Sequence, residues 1–189
     1  VITKKSNGGP GDSFNLGFNY LIDKFKTEEN VQVITMEADN TSDLSILKDM
    51  VTISDLGYDL VLASIYAQGG GFSQTSFFRK TLSFAANMVF RGLFDVKILT
   101  LSSFYRVYHL NLIKQINDNN TNIIEQPGFI CMFEILLKSI EEKAKVIEIP
   151  MILKSDIRKG KSKMKIFSNS ISYIKFLLTY KSQRKAFSK

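Results

Sequence analysis

The chain is poor in cysteine and histidine. Of its 189 residues, one is cysteine, Cys131, and one is histidine, His109. A single cysteine excludes an internal disulfide and points to a reducing compartment. Cys131 lies in "GFICMFEILL", where the simple reading is a small buried hydrophobe. His109 follows "YRVY" and is read as structural rather than chemical. The sequence has no uninterrupted apolar run of about 18 residues, which excludes a transmembrane helix in this stretch. It also lacks a signal peptide, an internal repeat and a low-complexity tract. The chain begins at Val1, not Met, so an upstream part of the protein is expected.

What is present suits one globular domain. The composition is 44% hydrophobic and 23% charged, with 15 Phe and 7 Tyr, enough for a sizeable core. Charge is unevenly spread. From Lys154 onward there are eleven Lys/Arg against one acid, Asp156. The first 153 residues hold fourteen basic and seventeen acidic residues, so the +7 of the whole chain comes from its end. Such a segment suits phosphate groups, anionic lipid or nucleic acid. The aromatics are patterned as core and do not interleave with the basic run, which argues against a nucleic-acid binder.

Periodicity gives an alternating pattern. A Gly/Pro/Asn turn precedes a helix capped by Asp12 or Ser13, with Phe14, Phe18, Leu21, Ile22 and Phe25 on one face. "VQVITM" from Val31 is a buried strand, and "SDLSILKDMVTI" is a short helix begun by Ser42 or Asp43. "DLVLASIY" from Asp59 is a second buried strand, followed by Gly69, Gly70 and Gly71. A longer helix over Phe77–Leu93 has its apolar stripe at Leu82, Ala85, Ala86, Val89 and Leu93. "VKILTLSSFYRVY" is expected to be extended. "PGFICMFEILLKSIEEKA" is a helix with Ile130, Phe133, Leu137 and Ile140 inward. "KVIEIPMIL" is a strand that Pro150 places at an edge or breaks. Ile166 to Tyr180 forms an amphipathic helix. Strands alternating with helices, and no tight hairpins, predict an α/β sheet. The expected organisation is one domain over 1–165 and a basic amphipathic helix and tail over 166–189.

Four constellations carry possible chemistry. Glu37 and Asp39, one residue apart after a strand, offer hard oxygen ligands where α/β sheets collect their ligands; the competing reading is a pair of loop or cap acids. "RKGKSKM" offers Arg158, Ser162 and Lys163 to a diphosphate, or is a solvated basic loop. Glu134, within "CMFEILL", is either a cleft acid or a paired surface residue. The glycine run ahead of Arg79 either lets a ligand approach the backbone or is a flexible loop.

In order and spacing, these stretches resemble the family 2 glycosyltransferases of the dolichyl-phosphate mannose synthase type, the polyprenyl-phosphate sugar synthases. The matching segments are "NGGPGDSFNLGFN", "VITMEADNTSDLSIL", "YDLVLASIYAQGGGFSQTSFFRKTLSFAANMV", "SSFYRVY", "PGFICMFEILLKSIEEKAKVIEIPMIL" and "RKGKSKM". The resemblance implies a nucleotide-diphospho-sugar transferase (Rossmann-like) fold. Its sheet is mostly parallel and flanked by helices, and the family's first strand and helix lie upstream of this chain. It also implies a nucleotide sugar donor, a polyprenyl phosphate acceptor, a Mg²⁺ or Mn²⁺ ion, and a protein peripheral to the cytoplasmic face of a membrane. It assigns Glu37 and Asp39 to the metal. Asp39, Arg106 and Glu134 fall to catalysis, with Glu134 orienting. Arg79, Arg158, Ser162 and Lys163 fall to donor or phosphate binding.

The sequence departs from the family pattern at named positions. Glu37 stands where aspartate is usual, Ile65 where arginine ends the second strand, Thr100 at the place of an acid, and Phe104 at the place of a glycine. In the basic loop the family's arginine falls on Ile157, one place before Arg158. These departures keep a non-catalytic paralogue that binds nucleotide sugar as a competing reading. A transferase acting on a polysaccharide or other glycan is another.

Overall fold

The computed structural model describes residues 1–74, 77–154, 176 and 180, without the side chains at 77–80, 82 and 86. The stretch 155–175, with "RKGKSKM" and most of the expected C-terminal helix, lies outside the described residues.

Strands β1 (Gln32–Thr35), β2 (Leu60–Ser64), β4 (Arg106–His109) and β5 (Val146–Pro150) form one sheet in the order β1-β4-β2-β5. Two short strands, β3 (Gly71–Phe72) and β6 (Ile152–Leu153), form a second, parallel pair. The helices are α1 (Gly9–Lys24), α2 (Leu47–Asp55), α3 (Phe77–Phe94), α4 (Leu110–Asn119) and α5 (Cys131–Glu141).

The period-2 alternation of strand side chains divides the core in two. Leu60 and Leu62 of β2 join Val33, Tyr108, Phe18, Ile113 and Phe133 on one side. Val61 and Ala63 join Met50, Val107 and Ile149 on the other. Helices α1, α4 and α5 thus cover one face of the sheet and α2 the other, the layering of an α/β domain. Buried on both faces, β2 is a continuous apolar run rather than an alternating one.

The expectation of a mostly parallel sheet needs correction: the sheet is mixed. β1, β2 and β5 run in the same direction, but β4 lies between β1 and β2 antiparallel to both. The reason lies in the segment before β4. Thr100 is bonded to Ser64 at the carboxyl end of β2 (2.6 Å), so the chain enters the sheet from that end and must run back along it. Only Arg106–His109 is strand, and much of the expected extended stretch from Val96 is a loop. The Pro150 expectation holds: β5 is an edge strand that stops there, and the chain resumes as β6.

Helix α1 starts at Gly9 with Pro10 in its first turn, ahead of Asp12 and Ser13. Its face is the expected one, with Phe18 buried and Phe14, Leu21, Ile22 and Phe25 packed against the core. Asp43 caps the Leu44–Ile46 turn that leads into α2. Helix α5 is more deeply placed than a one-sided stripe implies, since Cys131 to Ser139 are all buried. Helix α4 was not anticipated; its Leu110, Leu112, Ile113 and Ile116 pack inward.

The stripe expected on α3 is on the wrong side. Val89 and Leu93 are exposed, while Phe90 and Phe94 pack edge-on against Phe133 at 5.9 and 5.0 Å. Two aromatic rings outweigh the smaller residues in choosing the buried face. Of the expected C-terminal helix, Phe176 is buried against Phe94 and Phe133.

Candidate active site at the carboxyl ends of the strands

Because β1, β2 and β5 share a direction, their carboxyl ends open on one edge of the sheet, the edge where α/β folds place ligands. Two of the singled-out segments meet there, beside β6. Glu37 and Asp39 follow β1, the glycine run follows β2, and β6 continues from β5 toward the basic stretch. Backbone hydrogen bonds tie them together: Gly71 N–H to Met151 O (3.0 Å), Met151 N–H to Ser64 O (2.9 Å) and Lys154 N–H to Thr41 O (3.0 Å).

Asp39 heads a tight polar turn. Its Oδ1 accepts the Thr41 backbone N–H (3.1 Å) and the Thr41 hydroxyl (2.6 Å), an Asx-turn that lets Asn40 adopt φ +64°. Asp43 follows. Its carboxylate accepts the Ser45 hydroxyl (2.8 Å) and N–H (3.2 Å), and Lys154 Nζ approaches to 3.4 Å. These hydrogen bonds, with a smaller contribution from Lys154, hold its pKa below the ordinary value. Glu37 and Asp39 are partly exposed. Two carboxylates are the hard oxygen donors that this turn could offer a divalent cation. They do not form a closed cage, and among the described residues no group of three or more His, Cys, Asp and Glu could hold a metal.

The glycine run serves the fold as well as the edge. A Cβ on Gly70 would collide with Ser64 O, and Gly69 sits at φ +92°. Both glycines let the chain turn tightly above β2. Beneath them, the Ser64 hydroxyl meets Thr100 and also accepts the Tyr66 and Ala67 N–H groups at 3.3 and 3.0 Å. The Thr100 segment is held from two further sides. Glu148 of β5 accepts the Leu99 and Thr100 N–H groups at 2.6 and 2.8 Å, and Asn87 of α3 bonds Leu99 O and Leu101 N–H. Tyr105 places a buried hydroxyl that has no hydrogen-bond partner among the described residues. Burial raises its pKa, and the Asp43 charge adds to that.

Two residues expected at the reaction centre are buried and hydrogen-bonded within the fold. Arg106 is fully buried. It is paired in register with Leu62 and so points into the large core, where it donates to Ser103 O (2.7 Å), Leu101 O (2.9 Å) and the Tyr108 hydroxyl (3.2 Å). Its acceptors lie on its own segment, so it fixes that segment and does not reach into an open cleft. Glu134 is 1% exposed. Its Oε1 accepts the Glu125 N–H (2.8 Å) and pairs with Lys138 Nζ (2.9 Å), and its Oε2 accepts the Gln126 N–H (2.9 Å). Lys138 also donates to Asn122 O and Ile123 O. The pair clamps the loop on which Gly9 and Gly11 rest, for Gly11 N–H donates to Pro127 O and a Cβ there would strike Gln126 O. Arg79 is carried by the first turn of α3; Arg158, Ser162 and Lys163 lie outside the described residues.

Sequence reasoning missed Glu148, Asn87, Ser64 and Tyr105. The lone acid within the apolar run "VIEIP" was a visible signal for Glu148, since an acid in an apolar strand needs donors.

No protein-family model matches the chain. A curated relative does: the polyprenol monophosphomannose synthase of Mycolicibacterium smegmatis. It is 24% identical over 164 residues, which are 87% of this chain and 59% of the relative. The resemblance to polyprenyl-phosphate sugar synthases is thereby borne out. The chain spans less than two thirds of that relative's length. Among the described residues, no helix is long and apolar enough to cross a membrane.

Proposed function

We propose that the chain is the larger part of a glycosyltransferase domain that moves a sugar from a nucleotide-diphospho-sugar to a polyprenyl phosphate, working at the cytoplasmic face of a membrane. The observation that carries this reading is the meeting of the Glu37–Asp39 turn, the glycine run and Lys154 at the carboxyl ends of parallel strands. The similarity to a polyprenol monophosphomannose synthase over 87% of the chain supports the choice of acceptor.

In this reading Glu37 and Asp39 hold a Mg²⁺ or Mn²⁺ ion. When bound, the ion neutralises charge on the donor diphosphate. Asp39 is the better-fixed ligand, because the Thr41 contacts set its carboxylate. Arg79, Arg158, Ser162 and Lys163 supply positive charge and donors to phosphate. A polyprenyl phosphate is already ionised and needs no general base. The full engagement of Glu134 by two N–H groups and Lys138 agrees with that chemistry. The rate then comes from positioning and from charge stabilisation, and the locked segment at Thr100 serves the first of these.

The test is transfer of radiolabelled sugar to a short polyprenyl phosphate by the full-length protein, with and without Mn²⁺. Asp39→Asn is expected to lower transfer at least roughly a hundredfold. Unchanged transfer would remove the metal assignment. A second reading, a paralogue that binds nucleotide sugar without turnover, is favoured by Thr100, whose hydroxyl is bonded to Ser64 where the family carries an acid. Mn²⁺-dependent nucleotide binding without transfer to any polyprenyl phosphate would decide for it.

A further inference from the structure

Between α3 and β4 the chain arches past the carboxyl end of β2 without joining the sheet, and three side chains take the place of a strand ladder. Glu148 accepts the Leu99 and Thr100 N–H groups at 2.6 and 2.8 Å. Arg106 donates to Leu101 O (2.9 Å) and Ser103 O (2.7 Å). Asn87 accepts the Leu101 N–H and donates to Leu99 O. Glu148 and Arg106 stand in one row across the sheet, since both pair in register with Leu62 of β2, and residues in such a row share a face. An acid on one flank thus holds the arch by its N–H groups, and a cation on the other flank holds it by its carbonyls. Between them Thr100 meets the Ser64 hydroxyl at 2.6 Å. The backbone groups of a buried segment need partners. Here those partners are side chains, so they set the arch's place over β2, with Ser102 exposed at its crest.

We propose that Glu148 is a positioning residue of the candidate site, holding this arch in place relative to the Glu37–Asp39 turn. The stretch that carries it is tied to the other parts of the same edge. Just beyond β5, the Met151 N–H donates to Ser64 O (2.9 Å) and the Met151 carbonyl accepts the Gly71 N–H (3.0 Å). Leu153 O accepts the Ser73 N–H (3.0 Å), and the Lys154 N–H donates to Thr41 O (3.0 Å), in the turn headed by Asp39. These ties are backbone to backbone, whereas Glu148 reaches the arch through its carboxylate. It is therefore the tie that a single side-chain change removes. Each of its oxygens is engaged by an N–H group, so Glu148 acts through the arch and not as an acid or base. Bonds from N–H groups to a carboxylate are stronger than neutral ones. An amide in its place accepts at one atom only and turns an NH₂ group toward the other N–H. The effect on turnover rests on the proposed transfer reaction; the clamp itself does not.

The test compares Glu148→Gln with Ser139→Ala in the full-length protein. Ser139→Ala removes a buried hydrogen bond to Ile135 O within α5 and is the control for lost stability alone. In Glu148→Gln the Leu99 and Thr100 amides are expected to exchange hydrogen at least roughly tenfold faster, with the Met151 amide unchanged. In sugar transfer to a short polyprenyl phosphate, kcat is expected to fall roughly tenfold or more while KM for donor and acceptor stays within about twofold, the mark of misplaced rather than unbound reactants. Ser139→Ala should lower the melting temperature and leave kcat as it is. The inference is overturned if the two amides keep their protection in Glu148→Gln, or if they lose it and kcat does not change. It is also overturned if kcat falls in both variants in step with the melting temperature, for Glu148 is then architectural. A wild-type protein that transfers no sugar rejects the proposed function, and the exchange of Leu99 and Thr100 then decides the clamp on its own.

Discussion

Glu134 offers the sharpest test of whether a buried acid in this fold is chemical or architectural. Its carboxylate and the Lys138 ammonium are 2% and 5% exposed and 2.9 Å apart, and it also accepts two backbone N–H groups. Glu134→Ala removes the partner of a buried cation and strands two amides. Breaking a buried pair from one side costs about 3–5 kcal/mol. Each stranded donor adds about 1–3 kcal/mol unless the loop relaxes to water. Lys138 keeps two carbonyls and has the exposed Glu125 at 3.7 Å, so part of the loss is recovered. The expected net loss is about 3–5 kcal/mol, a large share of the roughly 5–15 kcal/mol that holds a domain folded. Glu134→Gln keeps the shape and one acceptor, and is expected to lose about 2–3 kcal/mol. Urea unfolding of the full-length protein measures both. Pairing Glu134→Ala with Lys138→Met should give a coupling energy of at least about 1 kcal/mol. Hydrogen exchange should show the amides of Glu125 and Gln126 losing protection first. If Glu134→Gln abolishes sugar transfer while stability and exchange stay unchanged, the residue is catalytic and this reasoning fails.

Two further outcomes follow from titratable groups. Burial pushes the Cys131 thiol up to about 12, so at pH 8 a disulfide reagent should label it roughly a thousandfold more slowly in the native protein than in urea; equal rates would mean that α5 opens readily. Asp43 is held below its ordinary value near 3.8 by Ser45 and Lys154. Its contribution is therefore complete above that value and fades as the pH falls through the lower folded pKa. The urea midpoint should be measured between about pH 5 and pH 2, where Asp43→Asn should flatten the decline. Parallel declines in both proteins would contradict the assignment.

The strands and their order along the chain were legible because they are continuous apolar runs bounded by turn chemistry. β2 and the Pro150 break between β5 and β6 are the clear cases. The antiparallel insertion of β4 was not legible, since it follows from Thr100 anchoring at Ser64, a contact 36 residues apart in sequence. The rotation of α3 was missed for a related reason. Periodicity proposed Leu82, Ala85, Val89 and Leu93, and only the tertiary contacts of Phe90 and Phe94 with α5 decide otherwise. At the candidate site, spacing singled out Glu37 and Asp39 but left them as ligands or loop acids, and the resemblance alone assigned them to a metal. Spacing could not separate Glu134 from a cleft acid, because the distinction rests on which backbone N–H groups face it.

The departures from the family pattern make physical sense as a set. Ile65 and Thr100 take the places of an arginine and an acid, one charge of each sign. Here Thr100 is satisfied by Ser64 at 2.6 Å, and Ile65 packs against the smaller core with Met50 and Ile149. Phe104, in the place of a glycine, is taken up between Phe14 and Phe129 at 5.8 Å from each, and its carbonyl still accepts the Thr35 hydroxyl. Each of these residues is therefore packed or paired where it stands. Under the proposed reaction, the Glu37–Asp39 turn and Lys154 are what this edge offers a diphosphate. Thr100→Asp alone should therefore strand a carboxylate at a 5% exposed position and lower the urea midpoint, and an unchanged midpoint would show that the Ser64–Thr100 contact tolerates a charge.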